Sequence, residues 1–278
     1  MSRLWRDQIQ VFFAPERVDL VRSRRGMKLK QIARLTMLCE YVPDLPSWEG
    51  ALRKLDQMIA DAAGTEIAIT VSNHFVRYTV IPPQTKIANP AELNAYAIFH
   101  MREVYGERAE AWVLGVSPWD PYSGAICAAI DRGLLERLEE LTRRRKVKLQ
   151  GIEPYLTSAF DRWCKPLDGK RMWFALIETG RICLASLSDG AWQRICNQRI
   201  LDNAEEELLA MLDQEAVLFS RREQAVEQVH LFAPGHPNLT FPDGCGWRVI
   251  PLQTAGMPAP AHFPSLAVVA SGAESCAA

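Results

Sequence analysis

Residues 173–200 read WFALIETGRICLASLSDGAWQRICNQRI, and this stretch decides the fold. It contains three runs rich in apolar and β-branched residues, which lie at 173–177, 182–186 and 193–200. Two short turns separate the runs, one carrying Gly180 and the other Gly190, and glycine is typical of tight hairpin turns. Strand-forming runs joined by short turns predict a three-stranded antiparallel meander.

The first part of the chain repeats this pattern. Apolar runs lie at 9–13, 18–22 and 28–37, and short polar segments separate them. Each meander is followed by a helical pattern and then by a further strand, which lies at 229–232 in the second half. We therefore predict an internal duplication, with mixed α/β halves that face each other across a central cleft.

The repeat also predicts the domain organisation. We expect a first lobe at residues 1–153, with an inserted subdomain at about 67–130, and a second lobe at residues 154–253. Residues 254–278 are rich in Ala and Pro, and they predict a separate C-terminal segment with one short helix near Leu266.

Several helix boundaries are predicted from capping residues. Asn89 precedes Pro90 and Glu92, a combination that favours a helix start, and Gly106 should end that helix. The other predicted caps are Ser47, Asp131 and Asp202.

Composition excludes several classes of function. The 278 residues carry a formal net charge of -1, so a general attraction to nucleic acid is not expected. No apolar stretch approaches the ~20 residues of a membrane-spanning helix, and the first residues do not look like a secretory signal. The seven cysteines form no CxxC pair, the five histidines show no metal-ligand spacing, and no GxSxG elbow is present. We predict neither a metal site nor a hydrolase triad.

The order of elements resembles the actin-like ATPase superfold, in which two related halves each begin with a meander. Within that superfold, four segments are similar to the PilM, MshI and GspL-cytoplasmic-domain type of pilus and type II secretion assembly proteins. These segments are residues 67–81 (IAITVSNHFVRYTVI), 92–97 (ELNAYA), 104–106 (VYG) and 151–154 (GIEP). The resemblance implies a duplicated, RNase H-like α/β fold with two lobes around a cleft.

The resemblance also implies a nucleotide cleft, but its loops depart from the usual pattern. The first phosphate hairpin is Ala14-Pro15-Glu16-Arg17, which lacks glycine, and its proline removes an amide donor. The candidate nucleotide residues that remain are Glu178, Thr179, Gly180 and Gly235. Gly180 is equally explained as a hairpin turn. We expect a degenerate site without catalytic residues, at which ATP with Mg²⁺ binds weakly or not at all.

The function implied is that of a scaffold, or adaptor, in the cytoplasm at the inner membrane. Its expected partners are a bitopic inner-membrane assembly protein, bound through a short cytoplasmic peptide, and a motor ATPase of the pilus or secretion system. Candidate peptide contacts are Phe75, Arg77, Tyr78 and Tyr96, although the usual burial of Phe favours a core position for Phe75. The alternative is an active actin-like ATPase or a small-molecule kinase that uses Glu178, Gly180 and Gly235.

Two charged segments have two interpretations. Residues 143–146 are four consecutive basic residues at a predicted helix end, and residues 202–215 carry six acids without a base. Each segment predicts either a solvated helix face or a docking surface.

Overall fold

The computed structural model describes residues 7–24, 30–163, 171–219, 228–236, 238–242 and 244–252. In chain order, the elements are β1 (Gln8–Phe13), β2 (Arg17–Arg24), β3 (Lys30–Leu38), α1 (Glu49–Met58), β4 (Glu66–Val71), β5 (Val76–Ile81), α2 (Pro90–Tyr105), β6 (Trp112–Val116), β7 (Ala125–Asp131), α3 (Arg132–Arg144), β8 (Lys148–Pro154), α4 (Tyr155–Trp163), β9 (Arg171–Glu178), β10 (Arg181–Ser188), β11 (Ala191–Arg199), α5 (Ala204–Phe219), β12 (Gln228–Phe232) and β13 (Arg248–Pro251). A short 3-10 helix, Gly106–Ala111, connects α2 to β6.

Two five-stranded sheets share one topology. The first sheet has the order β3-β2-β1-β4-β8, and the second has the order β11-β10-β9-β12-β13. In both sheets the first three strands form an antiparallel meander, and the last two strands run parallel to the first strand. This equivalence confirms the predicted duplication.

A third sheet lies between these two along the chain. Its three antiparallel strands have the order β5-β7-β6, and α2 packs against them through Ala97 and Met101. Strand β4 pairs within the first sheet, so the strands of the third sheet begin at Val76. The predicted bounds of the lobes and of the inserted subdomain stay a prediction.

Strands β9 and β10 are buried on both faces, which explains their continuous apolar sequence. Phe174 and Leu176 point into the core that the second sheet shares with the first sheet. Trp173 and Ala175 point to the opposite face, where Leu208 and its neighbours on α5 cover them. Strands β9 and β10 therefore lie between the shared core and helix α5.

Two of the four predicted helix caps, Asn89 and Asp131, are confirmed by hydrogen bonds from the helix N–H groups to their side chains. The Asn89 side chain accepts a hydrogen bond from the Glu92 N–H at 3.0 Å, and α2 ends before Gly106. Asp131 likewise accepts the N–H of Gly133 at 2.8 Å.

The other two predicted caps are wrong. Helix α1 follows Trp48 without a side-chain cap, so Ser47 lies one residue too early. At α5, Asn203 accepts the Glu205 N–H at 2.8 Å, whereas the N–H of Asp202 is bound by the Glu207 carboxylate at 3.0 Å. Asp202 thus stands outside the helix, in a turn that Glu207 closes.

Some predicted features lie outside the described residues, namely the segment 254–278 with its short helix, Cys164 and Cys276. Within the described ranges, no helix combines the length and the apolar character needed to cross a bilayer. The five described cysteines are free thiols.

The turn before β7 depends on Gly124, and this dependence is testable. Gly124 has φ +78, and a Cβ there would collide with the Ile81 carbonyl oxygen. Gly64 has a similar φ of +84 but open space at its Cβ position. We expect Gly124→Ala to lower the free energy of unfolding by at least about 2 kcal/mol more than Gly64→Ala, because only the first variant adds a backbone clash. Urea unfolding of both variants measures the difference, and equal losses would contradict the described turn.

Candidate functional site

The two large sheets meet where β1, β4 and β9 end. We call the contact the inter-sheet junction; it consists of Glu16, Ser72, Asn73, His74, Glu178 and Thr179. Glu16 follows β1, residues 72–74 follow β4, and residues 178–179 form the β9–β10 hairpin. Strands β1 and β4 are parallel neighbours in the first sheet, so their carboxyl ends lie at one edge. The β9–β10 hairpin belongs to the second sheet, and it meets this edge where the two sheets pack against each other.

Glu178 is the central residue of the junction. It is 6% exposed, and its carboxylate accepts hydrogen bonds from Ser72 Oγ at 2.6 Å and from the Asn73 N–H at 3.0 Å. Burial raises the pKa of Glu178 to about 7, although both hydrogen bonds act in the opposite direction. Near neutral pH this carboxyl therefore exchanges between its neutral and charged forms.

The rest of the hairpin binds to the loop that follows β4. The Thr179 carbonyl oxygen lies 2.9 Å from His74 Nε2, and Gly180 has φ +72 at the tip of the turn. The Gly180 carbonyl accepts the Ile200 N–H at 3.0 Å. Gly180 thus serves the geometry of the turn.

Gly235 lies in the turn after β12. Because β12 pairs in parallel with β9, this turn stands at the same sheet edge as Glu178. Gly235 is exposed, and a Cβ there would meet no atom within 4 Å.

Glu16, in the β1–β2 hairpin, is the second carboxyl group of the junction beside Glu178. The Ala14 N–H donates to the Arg17 carbonyl at 3.1 Å, which closes the hairpin, and Glu16 is half-buried at its tip. Burial raises the pKa of Glu16, and a hydrogen bond from the Thr179 side chain opposes that shift. The junction therefore contains two carboxyl groups, and the charge of Glu16 adds to the upward shift of the Glu178 pKa.

The sequence did not single out Asn73, although this residue binds β5, α4 and β11 in addition to Glu178 on β9. Its side-chain oxygen accepts the Tyr78 hydroxyl at 2.5 Å and the Leu156 N–H at 3.2 Å. Its carbonyl oxygen accepts from Asn197 Nδ2 at 2.9 Å. An asparagine after a strand is a common turn residue, so no local signal marks this role.

The four predicted partner contacts lie in different surroundings. Phe75 and Tyr78 are buried, and Phe75 packs against Phe13 at 5.6 Å between ring centroids. Arg77 lines a cavity of about 190 Å³ beside His74. Tyr96 lies on α2, where its ring packs edge-on against Trp119 and His100. Their role in partner binding stays a prediction.

A larger groove, of about 550 Å³, was not predicted from the sequence. Its walls come from α2, the β6–β7 connection, α4 and the β10–β11 hairpin, and none of the four predicted partner residues lines it. The side chains that define its chemistry are Leu93, Leu114, Val116, Ile126, Phe160 and Trp192, with the acids Glu153 and Asp161. We refer to this site as the groove.

The acids of the groove are poorly solvated. Burial raises the pKa of Glu153 to about 8; the nearby Asp161 carboxylate adds to the shift, and a hydrogen bond from Ser158 opposes it. Burial also raises the pKa of Asp161. Positive charge brought into the groove would stabilise both ionised forms.

No group of three or more His, Cys, Asp or Glu side chains in the described ranges is arranged to hold a metal ion. The predicted basic cluster is partly neutralised, because Arg144 and Arg145 bind Asp56 at 3.1 and 2.6 Å.

Two equivalent mixed sheets, joined where their first strands end, define the actin-like ATPase fold. Solved structures support this assignment. The chain is similar to the cytoplasmic domain of EpsL, an inner membrane component of the type II secretion system of Vibrio cholerae, with a TM-score of 0.57 and 10% identity over 89% of this chain and 90% of that chain.

Two further structures share the fold. The PilM–PilN type IV pilus biogenesis complex matches with a TM-score of 0.61 and 15% identity, over 88% of each chain. A protein of unknown function from Bacteroides thetaiotaomicron, described as having an actin-like ATPase fold, matches with a TM-score of 0.53 and 9% identity, over 84% of this chain and 85% of that chain. These matches confirm the predicted fold class and the predicted resemblance at the level of the fold.

Sequence comparison adds no family. No protein-family model matches the chain, and no curated protein matches it in sequence.

The raised pKa of Glu178 predicts how stability depends on pH. The folded state holds the proton of this acid up to about pH 7, whereas the unfolded chain releases it near 4.5. The stabilising contribution is therefore complete below pH 4.5 and is lost as the pH rises through about 7, a decrease on the order of 3 kcal/mol.

Glu178→Gln cannot ionise, so we expect the unfolding free energy of this variant to decrease less than that of the wild type between pH 4.5 and 8. Denaturant unfolding at several pH values measures both slopes. Glu136→Gln, at an exposed position on α3, is the control and should follow the wild type. Parallel curves for all three proteins would disprove the assignment.

Proposed function

We propose that this protein is a scaffold, or adaptor, of an inner-membrane assembly platform of the type IV pilus or type II secretion class. The likeness of fold to EpsL and to the PilM–PilN complex supports the proposal. The groove is the observation that carries it, because a binding adaptor needs a surface for its partner.

The volume of the groove, about 550 Å³, is in the range of ligand-binding clefts and can accept a few side chains of a peptide. Its walls come from elements on both sides of the predicted lobe boundary, with Leu114 before it and Phe160 and Trp192 after it. The Trp192 and Phe160 rings pack 4.6 Å apart, which leaves a rigid aromatic wall. Rigid aromatic residues in a concave site are typical anchors of peptide and protein interfaces.

The acids indicate the charge of the segment. Glu153 and Asp161 lose solvation in the groove, and a lysine or arginine side chain would provide a counter-charge and hydrogen bonds. We therefore propose that the occupant is a short cytoplasmic segment of a bitopic membrane protein, with apolar residues and one basic residue. The predicted lobes at 1–153 and 154–253 belong to this proposal, since both contribute to the groove.

A partner of this kind would hold the protein in the cytoplasm at the surface of the inner membrane. A motor ATPase of the same assembly is the second partner that we propose. The predicted contacts of Phe75, Arg77, Tyr78 and Tyr96 are kept only as a secondary surface, because two of these side chains are buried.

We further infer that the nucleotide cleft is degenerate, since its residues do not fit a bound triphosphate. Pro15 has no amide hydrogen to donate, and Glu16 and Glu178 would face the phosphates with like charge. Two donors beside Glu178 are already used, because the Ser72 hydroxyl and the Asn73 N–H bind its carboxylate. No hydrolytic step is assigned to this cleft.

Removing the aromatic wall should abolish partner capture. Tagged wild-type protein is incubated with solubilised membranes of the native host, and captured proteins are quantified by mass spectrometry. We expect one bitopic protein to be enriched by the wild type and at least about tenfold less by Trp192→Ala, because buried tryptophans dominate such interfaces. Leu201→Ala, at a position 78% exposed, is the matched control and should behave like the wild type.

The cytoplasmic segment of the captured protein is then the peptide that tests the role of the acids in the groove. This segment is synthesised with and without its basic residue and titrated into wild-type protein and into Glu153→Gln. We expect the affinity of the basic segment for the wild type to rise from pH 6.5 to 8, because binding favours ionised Glu153, and Glu153→Gln should not show this rise.

Equal capture by Trp192→Ala and the wild type would contradict the proposed function.

The degenerate cleft is tested by calorimetry with MgATP. We expect no saturable heat at millimolar nucleotide, since the hairpins offer carboxylates in place of amide donors. The double variant Glu16→Gln, Glu178→Gln removes this repulsion and should bind no more weakly than the wild type. Micromolar binding by the wild type would favour the ATPase or kinase alternative.

A further inference from the structure

Among the strands that the structure describes, β3 is the outer strand of the first sheet, and β2 is its one neighbour. Outer strands of natural sheets are usually protected by several charges, by proline or by a covering element. The strand reads KQIARLTML; Lys30 is its first residue, Arg34 is its one other charged residue, and it contains no proline. Three apolar side chains of this strand are exposed: Ile32 at 45%, Leu35 at 48% and Leu38 at 74%.

The apolar surface continues beyond the strand. Tyr41 is 78% exposed and Leu45 is 42% exposed in the segment that follows β3. A row of unpaired backbone groups beside exposed apolar side chains is a template for another strand.

The hydrogen-bond pattern shows which backbone groups face outward. The Cys39 N–H donates to the Glu16 carbonyl at 2.8 Å, so Cys39 faces β2. In an antiparallel ladder the direction alternates along the strand. The N–H and C=O groups of Arg34, Thr36 and Leu38 therefore point away from β2, toward the open edge.

This alternation restricts how a second copy of the chain could pair with the edge. Two antiparallel copies of one strand form hydrogen bonds only when outward residues stand opposite outward residues, so the two-fold axis passes through a residue. With Arg34 on the axis, two arginines would be directly opposed, which is unfavourable. With Thr36 on the axis, Arg34 would stand opposite Leu38.

With Leu35 on the axis, the chemistry of the strand is self-complementary. The two Leu35 side chains stand opposite each other, Ile32 stands opposite Leu38 of the second copy, and Arg34 stands opposite Thr36. Arg34 of each copy then forms a hydrogen-bonded pair with Thr36 of the other copy, and the two-fold axis generates this pair twice. In each pair, both residues donate a backbone N–H to the carbonyl oxygen of the other. Ile32 has no partner on β2, because the β2–β3 register shifts beside it.

We propose that β3 pairs with β3 of a second copy of this chain, in antiparallel orientation with Leu35 on the two-fold axis. The two first sheets then form one continuous ten-stranded sheet. The interface is isologous and closes at two copies. The groove is formed by other elements, so this proposal is independent of the proposed function.

The first test measures self-association of the full chain by sedimentation velocity from low to high micromolar concentration. We expect a monomer–dimer equilibrium that Arg34→Pro weakens by about tenfold or more, since proline removes an outward N–H and leaves the bonds of β2 intact. Leu35→Lys places two like charges on the axis and should have the same effect. Gln198→Lys is the control, because it adds the same charge to β11, the exposed outer strand of the second sheet.

The second test determines the register. Residues opposed in a non-hydrogen-bonded antiparallel pair have a Cα separation of about 4.5 Å, which a disulfide can span. In a Cys39→Ser background, we expect Leu35→Cys to form a covalent dimer under mild oxidation and Arg34→Cys to form much less. Circular dichroism confirms that each variant is folded.

Either test can overturn the proposal. A chain that stays monomeric at high micromolar concentration contradicts it, and so does a dimer that neither Arg34→Pro nor Leu35→Lys weakens. Equal cross-linking of the two cysteine variants contradicts the register, and a strand of a different protein seated on β3 contradicts the proposed occupant.

Discussion

The carboxyl group of Glu178 joins the two large sheets, and the geometry of the site depends on this contact. Glu178 is the last residue of β9 in the second sheet. Its carboxyl group binds Ser72 and Asn73, which follow β4 of the first sheet. All three residues are buried, so removal of the carboxyl would leave a hydroxyl and an N–H without an acceptor, at about 1–3 kcal/mol for each group. The acid avoids the full cost of a buried charge because its raised pKa keeps it partly protonated.

The same loop positions the groove. Asn73 binds the Leu156 N–H at the start of α4, and Asn197 on β11 donates to the carbonyl oxygens of Asn73 and Val76. These bonds hold α4 and the β10–β11 meander against the loop. Phe160 on α4 can then pack against Trp192 at 4.6 Å, and their rings form one wall of the groove. The hydrogen bonds of Asn73 and Asn197 thus position the aromatic wall of the groove.

Equal topology has produced unequal surfaces in the two halves. On β11, the outer strand of the second sheet, Ile195 packs against the core and Arg194 binds Glu215 at 2.6 Å. On β3, the equivalent strand of the first sheet, Leu35 and Leu38 remain exposed. The outer strand β11 of the second sheet therefore packs against the rest of the molecule and contributes Trp192 to the groove. The equivalent strand β3 of the first sheet keeps exposed apolar side chains at its edge.

The sequence by itself determined the meanders, the duplication and the two Asx caps at Asn89 and Asp131, because strand alternation, turn glycines and capping act over a few residues. It also indicated that the first hairpin, with Pro15 and Glu16, departs from a phosphate loop. Only the tertiary structure decided the groove and the junction. Glu178 and Ser72 are 106 residues apart along the chain, and their contact follows from the packing of the two sheets against each other, which no local spacing encodes. Tyr78 was predicted as a contact of the partner peptide, whereas the structure places its side chain in the core, because burial depends on which element covers a strand.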